Sequence, residues 1–302
     1  MKEFKALIKT LRPYKKIELN SENKLQFFLD KHSTKEGTWG CLELHEGEID
    51  FIFLNGEGHE LSRQLMNSKH ATLLIPPASW HKIEPKSGEF NATLQFYCKP
   101  HRYFEKKYKL SSVHHDLNYV YQTYLSTYEK ITMLDVGCGS GRNPLYFSML
   151  GHLTTGIDIN QNAINKTREI AEKEALSNIK LQVHDLNQLI PDFDDTFDFV
   201  YSTVALQFLN KASIHPLLTQ LQNQTVMNGM HCLVFPIKSE IYSYPESFTY
   251  LAEPNELYQF YQDSGWSILE YREKPGQLHK LDETGKPKQG MFALLLAQKN
   301  NR

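Results

Sequence analysis

The chain has 302 residues, 40% of them hydrophobic, with 33 basic against 35 acidic side chains. This is room for two domains of ordinary size, with enough apolar content for real cores. The near-neutral balance offers no electrostatic footprint for nucleic acid, so no such partner is expected, and Lys106-Lys107 reads as solvated helix surface.

Cys41, Cys98, Cys138 and Cys232 are far apart and form no C-x-x-C pair. Neither a zinc knuckle nor a disulfide framework is supported, and reduced thiols in a cytoplasmic protein fit best. Met1 to Lys16 lacks the apolar core of a signal peptide, and no apolar run is long enough to span a membrane.

Residues 1–100 are expected to be all-β. Strand candidates are Gly40 to Leu44, Glu48 to Leu54, Ala71 to Ile75 and Asn91 to Cys98. Turn signals at Glu46-Gly47-Glu48, Asn55-Gly56-Glu57-Gly58 and Lys86-Ser87-Gly88 separate them, the spacing of a small sandwich or jelly roll. Within this region Leu74-Ile75-Pro76-Pro77-Ala78-Ser79-Trp80-His81 resembles the second motif of cupins. A metal-binding cupin also needs a His-x-His pair and a glutamate, and only His45 and Glu46 stand near that place. Several ligands must converge for a stable site, so His81 is read as a packed, hydrogen-bonded residue and no metal is expected. The domain is taken as an accessory module for binding or dimerisation, which leaves a homo-oligomer open.

Residues 101–130 form a helical connector, with amphipathic helices at Tyr103 to Tyr108 and Leu117 to Tyr128 and N-caps at Ser111-Ser112. A helix just before the first strand of the next domain would cross the mouth of its site and bring His114 there.

From 131 to 302, strands and helices alternate, as in a doubly wound parallel sheet. The expected strands are Ile131 to Val136, Leu153 to Ile157, Ile179 to His184, Phe197 to Ser202 and Met230 to Phe235. Helices are expected at Asn162 to Glu174 and Ile214 to Gln222, and two last strands, Trp266 to Arg272 and Met291 to Ala297, flank a polar loop.

The first of these strands runs into Asp135-Val136-Gly137-Cys138-Gly139-Ser140-Gly141-Arg142. Glycines at a strand end let backbone N–H groups approach a ligand beside the positive end of the next helix. The spacing is not the G-x-G-x-x-G of dinucleotide sites, and an acid two positions ahead repels a pyrophosphate and welcomes a cation. The pattern resembles the first motif of class I S-adenosyl-L-methionine (AdoMet) methyltransferases, which implies that the loop takes the amino-acid end of that cofactor. Asp158, ending the second strand and followed by Ile159, is placed to grip ribose hydroxyls. Asp185, ending the third, could accept from the adenine amine while Leu186 packs on the ring. Thr203, after the fourth, lies toward the methyl end.

A narrower resemblance covers nearly the whole chain. Asp135 to Asn143, Ser202 to Leu209, Pro245 to Phe248, Gly276-Gln277-Leu278-His279-Lys280 and Phe292 to Ala297 resemble the tellurite-resistance methyltransferases of the TehB type, whose long members carry an N-terminal cupin-like domain. The resemblance implies methylation of tellurite, and of selenite, to less toxic products. His279, Lys280 and Arg142 are then the candidate catalytic residues, as donors to the oxyanion, with His279 also a proton carrier. The family usually has arginine where Lys280 stands and another near Pro287, here flanked by Lys286 and Lys288; lysine lacks arginine's bidentate fork. A small thiol as acceptor, or AdoMet binding without catalysis, are the competing readings.

Overall fold

The computed structural model describes residues 2–20, 25–86, 88–281 and 285–300, with side chains at all of these except 2–5, 25–26 and 279–281. Ser87 of the expected turn and Asp282 to Thr284 of the C-terminal loop thus lie outside the described residues. Two compact units are formed, Met1–Lys109 and Leu110–Arg302, so the stretch read as a connector is divided between them.

The first unit contains β1 (Arg12–Asn20), β2 (His32–Ser33), β3 (Trp39–Glu46), β4 (Ile49–Leu54), β5 (Glu60–Met66), β6 (Thr72–Ile75), β7 (Trp80–Pro85) and β8 (Asn91–Cys98). They form two antiparallel sheets, ordered β1-β8-β3-β6 and β2-β7-β4-β5. The pairs β4–β5, β3–β6, β2–β7 and β1–β8 nest inside one another. This is one long hairpin folded over on itself, the jelly roll expected. Leu42, Ile49, Phe51, Ile75, Ile83 and Leu94 fill the space between the sheets.

Half of these strands escape a reading of apolar runs. β1 is written with Arg12, Lys15, Lys16 and Glu18 and shows mostly exposed positions. β5 is an edge strand on which only Met66 is buried. Its Arg63 binds Asp50, Glu60 and Glu84, so the edge is charged, which discourages pairing with another chain. A helix at Lys2–Lys9 also stands in the region expected to be all-β.

His81, on β7, is buried, and its Nδ1 lies 2.9 Å from the Ser79 carbonyl. Its ring stacks on Phe51 and meets His32 edge-on at 4.2 Å. Burial, reinforced by His32, holds it down at about 4. Among the described residues no three His, Cys, Asp or Glu side chains gather as metal ligands.

The second unit carries β9 (Thr132–Val136), β10 (Leu153–Asp158), β11 (Ile179–Val183), β12 (Phe197–Thr203), β13 (Thr225–Pro236), β14 (Ser267–Leu281) and β15 (Pro287–Gln298) in the order β11-β10-β9-β12-β13-β15-β14. The first five strands of that order are parallel; β15 is antiparallel to both its neighbours. The chain moves outward from β9 through β10 to β11, then crosses to β12 on the other side of β9. That reversal opens a crevice at the carboxyl ends of β9 and β12, where open α/β sheets bind ligands. Both faces of the sheet are covered. Leu134 and Val136 pack with Leu217, Leu218 and Leu233 on one face, and Met133 packs with Leu117, Phe147 and Leu296 on the other.

Two details depart from expectation. The polar loop expected after Arg272 is a paired ladder running on through Lys274↔Phe292, Gly276↔Gly290 and Gln277↔Gln289. A Cβ on Gly276 would stand 2.8 Å from the Phe292 ring, so the glycine that looks like a loop signal is there to admit the ring. The helix before β9 begins at His115, with His114 at its N-cap and no side-chain cap, and passes into a π-helical turn over Tyr121–Leu125. Ser111 and Ser112 precede it and do not cap it. Among the described residues no helix is long and apolar enough to cross a membrane.

Candidate cofactor and acceptor site

The loop after β9 is shaped by its glycines. Gly137, Gly139 and Gly141 have φ of 80°, 52° and 78°, the left-handed region that side chains disfavour. Space adds a second demand: a Cβ on Gly137 would lie 2.3 Å from Ala205 Cβ, and one on Gly141 2.2 Å from Thr167 Cγ2. Gly139 has nothing within 4 Å of that position. The Gly137 and Cys138 amides donate to the Ile157 carbonyl, and the Gly139 amide donates to Asp158 Oδ2 at 2.8 Å. The end of β10 thereby holds the loop open. Asp158 Oδ1 accepts from the Asn160 amide. One bond on each carboxylate oxygen leaves each a lone pair for a further donor.

Behind the loop, Asp135 is fully buried and neither of its oxygens has a hydrogen-bond partner. Burial pushes its carboxyl up to about 8, opposed by the positive charge of Arg142 and the nearness of Asn143. The Asn143 amide donates to Thr203 Oγ1 at 3.1 Å rather than to the carboxylate, while its oxygen accepts from the His114 amide. Asn143 therefore ties the helix start before β9 to the end of β12.

Two cavities meet here. The smaller, 260 Å³, is lined by Gly137, Cys138, Gly139, Arg142, Asn143 and Asp158, with Thr203 and Phe208. The larger, 590 Å³, is lined on its polar side by His114, His115, Asp116, Arg142 and Lys274, and on its apolar side by Phe208, Pro245, Phe248, Leu278 and Phe292. Arg142, Thr203, Val204 and Phe208 line both, so the cavities share a wall. Val204 has φ of 57°, which a β-branched residue seldom adopts. Strain of this kind, about 1–3 kcal/mol, is found most often at ligand sites.

His114 is enclosed at the wall of the larger cavity. Burial, then the charge of Arg142, bring it down to about 4, so it is neutral near pH 7. Arg142 is lowered by burial and supported by Asp135.

The structure thus gathers Gly137, Gly139, Arg142, Asp158 and Thr203 around the smaller cavity and His114 around the larger, with Asp135 and Gly141 behind the loop. Ile159, Asp185 and Leu186 line neither. Ile159 is exposed, Leu186 belongs to the core, and Asp185 accepts from the Asn187 amide and the Gln188 side chain. His279 and Lys280 lie on β14 beyond the cavity-lining Leu278, and their side chains lie outside those described. Asn143, Gln207, Phe208 and Phe248 fall in the segments that carry the family resemblance but have no role assigned from sequence, and Lys274 falls in none of them. Lys274 had no local signal at all, being a charged residue in a strand.

Comparison with known proteins adds a family. The model of the tellurite resistance protein TehB matches residues 96–296, and that of the TehB-like domain matches residues 18–94. A Haemophilus influenzae protein named probable S-adenosyl-L-methionine-dependent methyltransferase TehB is 35% identical, over 95% of this chain and 97% of its own. The crystal structure of TehB from Haemophilus influenzae superposes with a TM-score of 0.89 at 34% identity, covering 96% of this chain and 99% of that one. Hemagglutinin 1 of Eikenella corrodens is 27% identical over 82% of this chain and 79% of its own. With its whole-length relatives, its strand order and its glycine loop in agreement, the chain belongs to the TehB tellurite-resistance family.

Proposed function

We propose that this chain, an AdoMet-dependent methyltransferase of the TehB family, transfers the methyl group to tellurite or selenite. The observation that carries the reading is the wall shared by the two cavities, in which the cationic Arg142 stands. A small cavity bounded by the glycine loop and Asp158, with a buried acid behind that loop, suits a cofactor bearing an ammonium and a ribose. The larger cavity then receives the acceptor.

AdoMet supplies a methyl group that is already electrophilic, so the protein need provide no covalent nucleophile. The work of the chain is alignment, exclusion of water and compensation of charge. Asp135 balances Arg142 and the cofactor ammonium; Gly137 and Gly139 admit the amino-acid end; Asp158 accepts from ribose. Ile159, Asp185 and Leu186 are proposed for the adenine end. Thr203 and neutral His114 frame the methyl, while Arg142, His279 and Lys280 neutralise the oxyanion, which must lose water beside a sulfonium. The first unit is proposed as a cupin-like accessory module for binding or self-association.

A second reading has its own support. Phe208, Phe248, Phe292 and Leu278 make an apolar wall larger than an inorganic oxyanion needs, and this suits a small organic thiol. Initial rates of S-adenosylhomocysteine (AdoHcy) formation with tellurite, selenite and 2-mercaptoethanol separate the two. The oxyanion reading expects the first two to exceed the thiol; the reverse order would select the second.

A further inference from the structure

The polar side of the larger cavity contains an unusual pairing. Asp116, buried on the helix His115–Val120, accepts through the same oxygen, Oδ1, from Lys274 Nζ at 2.7 Å and Arg272 Nη2 at 3.0 Å. His115 Nδ1 stands 3.3 Å from that oxygen. The two cations are not equivalent. Arg272 is held from other directions as well, by Glu270 Oε1 at 3.4 Å and by the Tyr119 ring at 4.9 Å. Lys274 lines the cavity, its side chain is 40% exposed, and its flexible stem carries a compact charge.

A buried carboxylate stripped of every cation is strongly destabilising, so a lysine that is a lone partner cannot leave. Here the second cation removes that obstacle: if Lys274 turns toward the cavity, Asp116 keeps Arg272. We propose that Lys274 is a specificity-determining residue, its ammonium passing from Asp116 to an anionic acceptor while Arg272 stays on the carboxylate. The inference rests on the larger cavity being the acceptor site.

The test is calorimetric titration of selenite into the AdoHcy-saturated full-length protein. Lys274→Met is expected to raise the selenite Kd by roughly 10- to 100-fold, the effect of one charge-assisted hydrogen bond, and Lys274→Arg to restore most of it. Arg272→Met should also raise it, although Arg272 does not line the cavity, because Lys274 would then be held on Asp116. AdoHcy affinity and thermal unfolding, measured on each variant, separate these effects from misfolding. Selenite binding that Lys274→Met leaves within about threefold of the native value, or no selenite binding by the native chain, overturns the inference. Lys274-dependent selenite binding without methyl transfer to selenite would instead overturn the proposed reaction and leave Lys274 as an anion ligand.

Discussion

The glycine loop allows a prediction in which stability and binding come apart. Alanine at Gly137 must adopt φ of 80° and place its Cβ 2.3 Å from Ala205 Cβ. The left-handed backbone costs about 1–2 kcal/mol for a residue with a Cβ. The contact adds about 1–3 kcal/mol, because alanine has no rotamer by which to withdraw and the backbone must move. Gly137→Ala should therefore lose about 2–5 kcal/mol, or roughly 4–20 °C in Tm for a unit of this size. Gly139→Ala carries only the backbone cost, about 1–2 kcal/mol, since nothing lies within 4 Å of its Cβ. That open space belongs to the cavity Gly139 lines, so this variant should fold nearly as the native protein yet bind AdoHcy at least about tenfold more weakly. Urea denaturation of the free protein and calorimetric AdoHcy titration give the two readouts. Equal stability losses for the two variants, or native AdoHcy affinity in Gly139→Ala, would refute the assignment of steric roles within the loop.

Asp135→Asn should act with opposite signs on stability and binding. The Asp135 carboxyl is held up at about 8 by burial, against about 3.9 in the unfolded chain. A raised folded value means that the folded state keeps its proton more tightly, so this contribution is complete below about pH 4 and is lost as pH rises toward 8. The variant should flatten the decline in urea stability between pH 5 and 8 while weakening AdoMet binding at pH 8; an unaltered pH profile would count against the role. His279→Ala should lower kcat by about 100-fold or more, the ordinary contribution of a positioned acid–base group, with AdoMet affinity unchanged. Native turnover in that variant would remove His279 from the chemistry.

What could be read in the sequence follows from how locally each feature is determined. β9 and its loop were legible because three left-handed positions spaced two apart can hardly be written with any residue but glycine. The parallel strands were legible as short apolar runs alternating with helices, whereas the order that reverses at β9 is set by pairings distant in sequence. β1 and β5 were hidden because one strand is charged and the other is an edge that faces solvent along nearly all its length. The long β14–β15 ladder was hidden because Gly276 and Gly290, opposite each other, look like loop residues. Site residues split in the same way. Asp158 announced itself at a strand end, whereas Asp116 meets its cations 156 and 158 positions away, a distance over which spacing carries no signal. Val204 was not foreseeable, since its backbone runs against the preference of its own side chain.

The central claim is that an oxyanion receives the methyl group at the wall shared by the two cavities. Its most direct test is incubation of the full-length protein with methyl-labelled AdoMet, with and without tellurite or selenite, resolving any labelled methylated oxyanion in solution by anion-exchange chromatography. The expected result is a labelled methylated tellurium or selenium oxyanion, formed only with the oxyanion present and greatly reduced by Arg142→Met. AdoMet binding with no oxyanion-dependent transfer of label would contradict it and direct attention to an organic acceptor.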